Sequence, residues 1–236
     1  MSDAPVKPLP VDPEVLARIR PMSAADVPDV ARLHQAAMGT SLWALLGSRF
    51  LTAVYAALVV HPDFRGYVYL EEGRVCGFIA GSNHGPRMFR ESTRRHALAL
   101  GLAALPGFLK NPRVLWRMAQ SAQYFGRSEA AGLEGVTAES MFCSFEPNLR
   151  GKRISGLINK VLFDELAALG HRHVKITTDV DNPLAARQLT SWGFEHCGTF
   201  RFYGKEMVAW RLDLLTNPRV EPVSRFGTVP TGGGSR

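Results

Sequence analysis

Cations and glycine are concentrated in one six-residue stretch, Arg150-Gly-Lys-Arg-Ile-Ser155. The apolar run before it, Gly135–Phe145, predicts a strand, and the spacing of apolar residues over Lys152–Leu169 predicts a helix. The first N–H groups of a helix lack internal acceptors and carry the positive end of the helix dipole. Cations at that point add to the attraction for an anion, so the stretch predicts a phosphate-binding turn.

Two common phosphate motifs are excluded at this turn. Gly151 and Gly156 have the spacing of the P-loop glycines, but Leu157-Ile158 replace the lysine and hydroxyl residue that a P-loop needs. The GxGxxG fingerprint of dinucleotide-binding folds is also absent from it. The three cysteines, at positions 76, 143 and 197, share no close spacing, so neither a metal site nor a disulfide framework is predicted.

The stretch resembles the coenzyme A loop of the GNAT superfamily of N-acetyltransferases, in which Arg/Gln-x-x-Gly-x-Gly/Ala opens a helix after a bulged strand. Arg153 and Ser155 stand at the two glycine positions of that pattern. A later segment, Asn182-Pro-Leu-Ala185 followed by Trp192-Gly193-Phe194, is also similar to the family. The resemblance covers about residues 18–214 and implies acetyl-CoA as co-substrate, with its pyrophosphate on the loop.

The resemblance also implies roles for individual residues. Glu139 is the implied general base, because Ala138-Glu139-Ser-Met-Phe142-Cys143 is similar to a motif of histone-modifying members; Glu146 is an alternative nearer the phosphates. The family's tyrosine acid is replaced by Leu189, which leaves Tyr203 as the nearest candidate acid, although a thiolate also leaves unaided. The implied cofactor-binding residues are Cys143, Ser144, Phe145, Arg150, Gly151, Lys152, Arg153, Ile154, Ser155 and Asn182.

The order of predicted elements indicates an α/β domain with a mixed sheet. The resemblance implies a GNAT-like central sheet flanked by helices, with a helical insertion, 86–128, between the third and fourth strands. The domain is expected to span 18–216. A flexible N-terminal segment, 1–17, and a disordered tail, 217–236, are expected to flank it.

Positive charge is local in this chain. Residues 86–128 hold eight cations and one acid, Glu91, so they carry as much net charge as the whole protein, +7. Helix breaks are expected there at Pro106 and at Asn111-Pro112. Two interpretations stay open: the cations belong to a lid that attracts an anionic acceptor, or they keep an apolar helix pair soluble.

The predicted function is direct transfer of an acetyl group from acetyl-CoA to the amine of a small-molecule acceptor, whose identity is left open. Two alternatives remain, a non-catalytic acyl-CoA-binding or regulatory domain and a basic interaction module. No nucleic-acid partner is expected, because the insertion lacks a recognised reading motif. The N-terminus lacks a signal-peptide pattern and the longest apolar stretch, Ala97–Leu109, is too short to span a bilayer, so a cytoplasmic protein is predicted.

Overall fold

A computed structural model describes residues 6–39, 41–112, 114, 129–149, 151–202 and 205–227. The helices are α1 (Pro13–Ala17), α2 (Val27–Ala37), α3 (Leu42–Leu45), α4 (Ser48–Val59), α5 (Gly85–Arg95), α6 (Ala97–Lys110), α7 (Ile154–Ala168) and α8 (Pro183–Trp192). The strands are β1 (Ile19–Pro21), β2 (Phe64–Glu71), β3 (Arg74–Ser82), β4 (Glu139–Phe145), β5 (His173–Asp179), β6 (Glu195–Phe202) and β7 (Lys205–Asp213).

The strands form one mixed sheet in the order β1-β2-β3-β4-β5-β7-β6. Only the central pair, β4 and β5, is parallel, and its connection is the right length for a crossover helix, α7. The other neighbours in the sheet are antiparallel. The predicted α/β mixed sheet is therefore confirmed, with α5 and α6 inserted between the third and fourth strands.

Each face of the sheet packs against its own helices. On one face, Leu162 and Phe163 of α7 and Trp192 of α8 belong to the same apolar cluster as Val174 of β5. On the other face, residues of α2, α4 and α6 cluster with Phe78 of β3. The two clusters hold the sheet rigidly from both sides, and this fixes where β4 ends and α7 begins.

The helix α7 is buried nearly all round, because both ends of the described chain lie on it. Its Asp164 is fully buried, accepts hydrogen bonds from the Glu221 N–H at 2.8 Å and Arg225 Nη2 at 3.0 Å, and lies 3.2 Å from Lys160 Nζ. Burial raises the pKa of the Asp164 carboxyl, and these hydrogen bonds and cations oppose that shift. A buried carboxylate with several donors ties the end of the chain to the helix.

The described parts of the two terminal segments, 6–17 and 217–227, make contacts with the rest of the domain. Residues Pro13–Ala17 form a helix that is capped by Asp12 and contacts α7. Asn217 is buried and donates to the Trp192 carbonyl at 2.7 Å, and the Arg219 guanidinium lies 5.2 Å from the centre of the Trp192 ring. Residues 1–5 and 228–236 lie outside the described residues. The polar and proline-rich sequence at both ends predicted flexible or disordered segments. Their described parts make long-range contacts with α7 and Trp192.

The insertion forms two consecutive helices, α5 and α6, as far as it is described. The break predicted at Pro106 is wrong, because α6 continues through this residue and ends only at Lys110, just before Asn111-Pro112. Gly107 allows the close packing of α6: a Cβ atom there would lie 2.6 Å from the backbone of Leu46. Tight packing of this turn compensates for the hydrogen bond that proline removes. Residues 113 and 115–128 lie outside the described residues.

Candidate active site

The central feature of the site is a cleft between the two parallel strands. β4 and β5 are paired in register at a single position, Glu139 with Lys175, where the Lys175 N–H donates to the Ala138 carbonyl at 3.0 Å. Beyond this pair β5 continues along β7, and β4 continues along β3. The edge of β4 that faces β5 is therefore open along 141–145, and backbone N–H and C=O groups on such an edge are available to a ligand.

A β-bulge marks the start of the open edge. The register between β3 and β4 shifts between Ala80 and Gly81, which pair with Phe142 and Ser140, so Met141 is the extra residue. The bulge thus precedes the Cys143–Phe145 stretch that the resemblance implied for carbonyl polarisation. A bulge turns backbone groups away from the regular ladder, and bulges are common next to active sites.

Two helix N-termini lie at the same end of this cleft. Because β4 and β5 are parallel, their C-terminal ends lie together, and each strand leads into a helix, α7 or α8. Ligands of open α/β sheets bind in such crevices outside the carboxyl ends of the strands. The N–H groups of both first turns then add a positive field at the mouth of the cleft.

The turn before α7 has two residues with left-handed backbone. Gly151 has φ of 82° and Arg153, the N-cap of α7, has φ of 58° and ψ of 8°. No side chain in the described chain caps this end of α7. Arg153 occupies a position where the family pattern has glycine, and the positive φ explains that preference. Gly151, Lys152 and Arg153 are exposed and Ile154 is buried, so the turn presents its cations and backbone to solvent.

The start of the turn is anchored by Glu146. Its carboxylate accepts two hydrogen bonds from Arg74, at 2.6 and 2.9 Å, and one from Arg32 at 3.2 Å. These hydrogen bonds, led by Arg74, lower the pKa of the Glu146 carboxyl. Two arginines thus engage Glu146, which makes it a positioning group for the turn and disfavours it as a base.

Glu139, the implied base, lies at the closed end of the cleft. It is buried, and its register partner Lys175 is fully buried. Val174 and Ile176 of β5 pack with α7, so alternation places Lys175 on the opposite face of the sheet. Alternation on β4, with the bulge at Met141 counted, places Glu139 on that face too. Sequence reasoning overlooked Lys175, although a lone lysine within the apolar run VKIT was a signal.

The side chains of Cys143, Ser144 and Phe145 are used in packing. The Cys143 thiol lies 3.9 Å from Asn159 Nδ2, and burial raises its pKa to about 12. Ser144 Oγ donates to the Leu33 carbonyl at 3.2 Å. The Phe145 ring lies over Gly77, where a Cβ atom would approach it to 2.1 Å. Ser144 is buried and Cys143 and Phe145 are half-buried, so the backbone of this stretch is its main group for a ligand.

The structure describes some of the remaining predicted site residues, and the others lie outside the described residues. Asn182 caps α8, with its Oδ1 accepting from the Ala185 N–H at 3.1 Å, and it is exposed at the end of the cleft. Ser155 lies in the first turn of α7, where its carbonyl accepts from Asn159 at 2.7 Å. Leu189 is buried in the core, so it has no role as an acid. Arg150 and Tyr203 lie outside the described residues.

A cavity of about 530 Å³ lies between the β2–β3 turn and the start of the turn before α7, next to the Arg74–Glu146 ion pair. It is lined by Arg18, Glu71, Glu72, Arg74 and Asn148. Two arginines and two glutamates balance its charge, so it is a poor match for a phosphate, and the cleft remains the candidate site. The described residues contain no group of three or more His, Cys, Asp or Glu side chains placed to hold a metal ion.

The sequence matches no protein-family model, and no curated protein matches it. Solved structures do match. A Desulfovibrio desulfuricans protein described as a GNAT-family acetyltransferase is 10% identical, with a TM-score of 0.53 over 83% of this chain and 97% of its own. The Escherichia coli ribosomal-protein-S18-alanine N-acetyltransferase is 12% identical, with a TM-score of 0.51 over 83% of this chain and 92% of its own.

The chain adopts the GNAT fold. A Salmonella typhimurium acetyltransferase whose structure contains its cofactor acetyl-CoA is another match, 16% identical with a TM-score of 0.51 over 83% of this chain and 92% of its own. At these identities the comparisons establish the GNAT fold. The reaction has to be inferred from the residues of the cleft. The fold that the loop and the element order implied is confirmed.

The left-handed backbone at Arg153 gives a prediction for stability. An L-residue in this region costs about 1–2 kcal/mol, and glycine avoids this cost. Arg153→Gly and Arg153→Ala remove the same charge, but only glycine relieves the strain. We expect the glycine variant to exceed the alanine variant in free energy of unfolding by about 1 kcal/mol, measured by urea denaturation. Equal stabilities would contradict the left-handed geometry.

Proposed function

We propose that this protein transfers an acetyl group from acetyl-CoA directly to the amine of a small-molecule acceptor. The observation that carries the proposal is the cleft: an open, bulged edge of β4 leads to the N-terminus of α7. That arrangement offers backbone groups to an extended thiol arm and a positive turn to a diphosphate in one continuous line. The solved structures that match this chain are described as acetyltransferases, which supports the same reaction.

In this proposal the cofactor lies along the cleft. The N–H groups of Lys152–Ser155 and the cations Arg150, Lys152 and Arg153 hold the pyrophosphate. The backbone of Cys143–Phe145 holds the pantetheine arm, and Asn182 contributes from the start of α8. Lys152 Nζ lies 3.7 Å from Glu71, an exposed ion pair that is weak enough to yield to a phosphate.

The chemistry needs a neutral amine, a polarised thioester and a leaving thiolate. The amine lone pair attacks the thioester carbon, the C–N bond forms, and the carbonyl oxygen becomes an oxyanion that backbone N–H groups stabilise. When the C–S bond breaks, coenzyme A leaves as its thiolate. The amine loses its protons to a base and to water, and one of them ends on the thiolate.

Glu139 is the proposed base, and it acts through water. Its burial beside the closed end of the cleft limits access, so a relayed proton fits better than direct contact. Tyr203 is still a predicted acid from the sequence alone. Because a thiolate leaves adequately without one, the proposal does not depend on it.

One observation favours a second candidate, a non-catalytic acyl-CoA-binding domain. Leu189, where the family has its tyrosine acid, is buried in the core. Both candidates require binding of an acyl-CoA, and only the enzyme releases free coenzyme A when an amine is present. We place the protein in the cytoplasm, where its three free thiols would stay reduced.

Acetyl-CoA binding tests the cleft. Lys152→Glu with Arg153→Glu should weaken binding by about 10- to 100-fold, since each lost charge-assisted hydrogen bond is worth roughly 1.5–3 kcal/mol and solvent reduces the effect. Calorimetry measures the affinity. The control is Arg49→Glu with Lys110→Glu, which changes the net charge equally on exposed residues of α4 and α6, the helices on the face of the sheet opposite α7. A folded wild type that binds no acetyl-CoA would refute the acetyltransferase, and one that binds neither acetyl-CoA nor longer acyl-CoAs would refute both candidates.

The base is tested by Glu139→Gln, which keeps the shape and removes the proton acceptor. We expect kcat to fall by roughly 10²–10⁴ with acetyl-CoA affinity unchanged. The measurement is release of free thiol against a panel of amines, with Glu134→Gln, an exposed carboxylate before β4, as the matched control. Normal turnover of the Glu139 variant at saturating amine would assign the proton to water or to another group.

We further propose that the acceptor carries an anionic group, drawn in by Arg90, Arg94 and Arg95, which are exposed on α5. In lipid-free buffer, kcat/KM should then fall as salt rises, because screening shortens the field to about 8 Å at physiological ionic strength. Arg94→Gln with Arg95→Gln should flatten this dependence without changing acetyl-CoA affinity. A kcat/KM that salt leaves unchanged would limit these arginines to a packing or solubilising role.

A further inference from the structure

The helix α6 places its small residues inward and its leucines outward. Ala103, Ala104 and Gly107 are buried against α4 and the Leu46 region, whereas Leu98, Leu102, Leu105 and Leu109 are 78%, 53%, 50% and 85% exposed. We call these four leucines the leucine face. An ordinary surface helix has the opposite arrangement, with its large apolar residues in the core.

The leucine face is continuous along the helix. Its members follow each other at steps of four, three and four residues, which at 3.6 residues per turn confines them to about 60° of arc over about 16 Å. Lys110 is the single charged residue of α6, so little polar surface interrupts the face. Extended apolar patches of this kind mark sites of interaction with a partner or a membrane.

The packing prevents α6 from turning this face inward. A Cβ at Gly107 would already lie 2.6 Å from Leu46 Cα, so no larger side chain fits on the buried side. Leu100 and Phe108, at the borders of the buried side, contribute the remaining contacts with the core. The exposure of the leucines is therefore a property of how the insertion packs.

Cations bracket the leucine face. Arg94 and Arg95 are exposed in the last turn of α5, immediately before α6, and Lys110 is exposed at its other end. The sequence contains no aspartate or glutamate between Ser92 and Ser128. An apolar strip with cations at both ends and no acid along it matches the surface of an anionic bilayer, which offers acyl chains below a layer of negative headgroups.

We propose that the leucine face docks this protein on an anionic lipid surface, with the leucines at the acyl boundary and Arg94, Arg95 and Lys110 among the headgroups. A second copy of the chain fits less well. Pairing two leucine faces would bring cations of one copy against cations of the other in either orientation, and like charges disfavour such contact. None of the described helices has the length and hydrophobicity to cross a bilayer, so the docking is interfacial.

Vesicle flotation with the full-length protein tests this proposal. We expect binding to vesicles of equal parts phosphatidylcholine and phosphatidylglycerol, and little binding to phosphatidylcholine alone or at high salt. Leu102→Gln with Leu105→Gln should abolish binding. Arg94→Gln with Arg95→Gln should lower partitioning roughly 10- to 30-fold, as two basic residues at an anionic surface contribute.

The controls carry the same substitutions at exposed residues outside α5 and α6 and their packing partners: Leu184→Gln with Leu215→Gln, and Arg172→Gln with Arg187→Gln. They should bind as the wild type does. Thermal unfolding of each variant checks that its fold is intact. The proposal is overturned if the wild type fails to float with the anionic vesicles, or if the Leu102/Leu105 variant still binds. Sedimentation showing a dimer that this variant dissociates would assign the leucine face to self-association and overturn it too.

Discussion

The separation of β4 from β5 is the constraint on which the site depends. A central parallel pair would normally remain hydrogen-bonded along its length, yet here register pairing is found at Glu139 and Lys175 alone. Backbone groups freed in the middle of a sheet are costly unless a ligand, water or side chain satisfies them. The fold tolerates the gap because each strand keeps a full partner on its other side, β3 for β4 and β7 for β5.

The two ends of the cleft differ in burial and in electrostatic character. The closed end has a buried glutamate and a buried lysine side by side on one face of the sheet. The open end has the first turns of two helices and an exposed cationic turn. The positive field at the open end would attract the anionic end of a long ligand before any close contact forms.

Rigidity around the turn comes from contacts distant in sequence. Arg74 and Arg32 donate hydrogen bonds to Glu146, the residue that follows β4. Near the C-terminal end of α7, Asp164 forms ion pairs with Lys160 and Arg225. With α7 held at both ends, the strained backbone of Arg153 persists, since relaxing it would require the helix to move. The insertion packs differently from α7. Its helix α6 covers the core with small residues and exposes its leucines to solvent.

The sequence by itself determined the local features of this protein. The Asn182 cap of α8 and the strand–turn–helix at residues 139–168 depend on residues close together in the chain. Their hydrogen bonds and backbone angles are set by immediate neighbours, so spacing and residue type suffice. The resemblance of the Arg150–Ser155 loop and of the later Asn182–Phe194 segment to the family, with the element order, implied the GNAT fold.

The tertiary structure alone decided which surfaces are open and which are covered. The gap between β4 and β5, the burial of Lys175 beside Glu139, the docking of residues 217–227 on α7 and the outward leucines of α6 have no local signature. Each results from competition between segments far apart in the chain for the same core surface. Pro106 shows this most plainly, because its local preference for a break is overcome by the packing of Gly107 against Leu46.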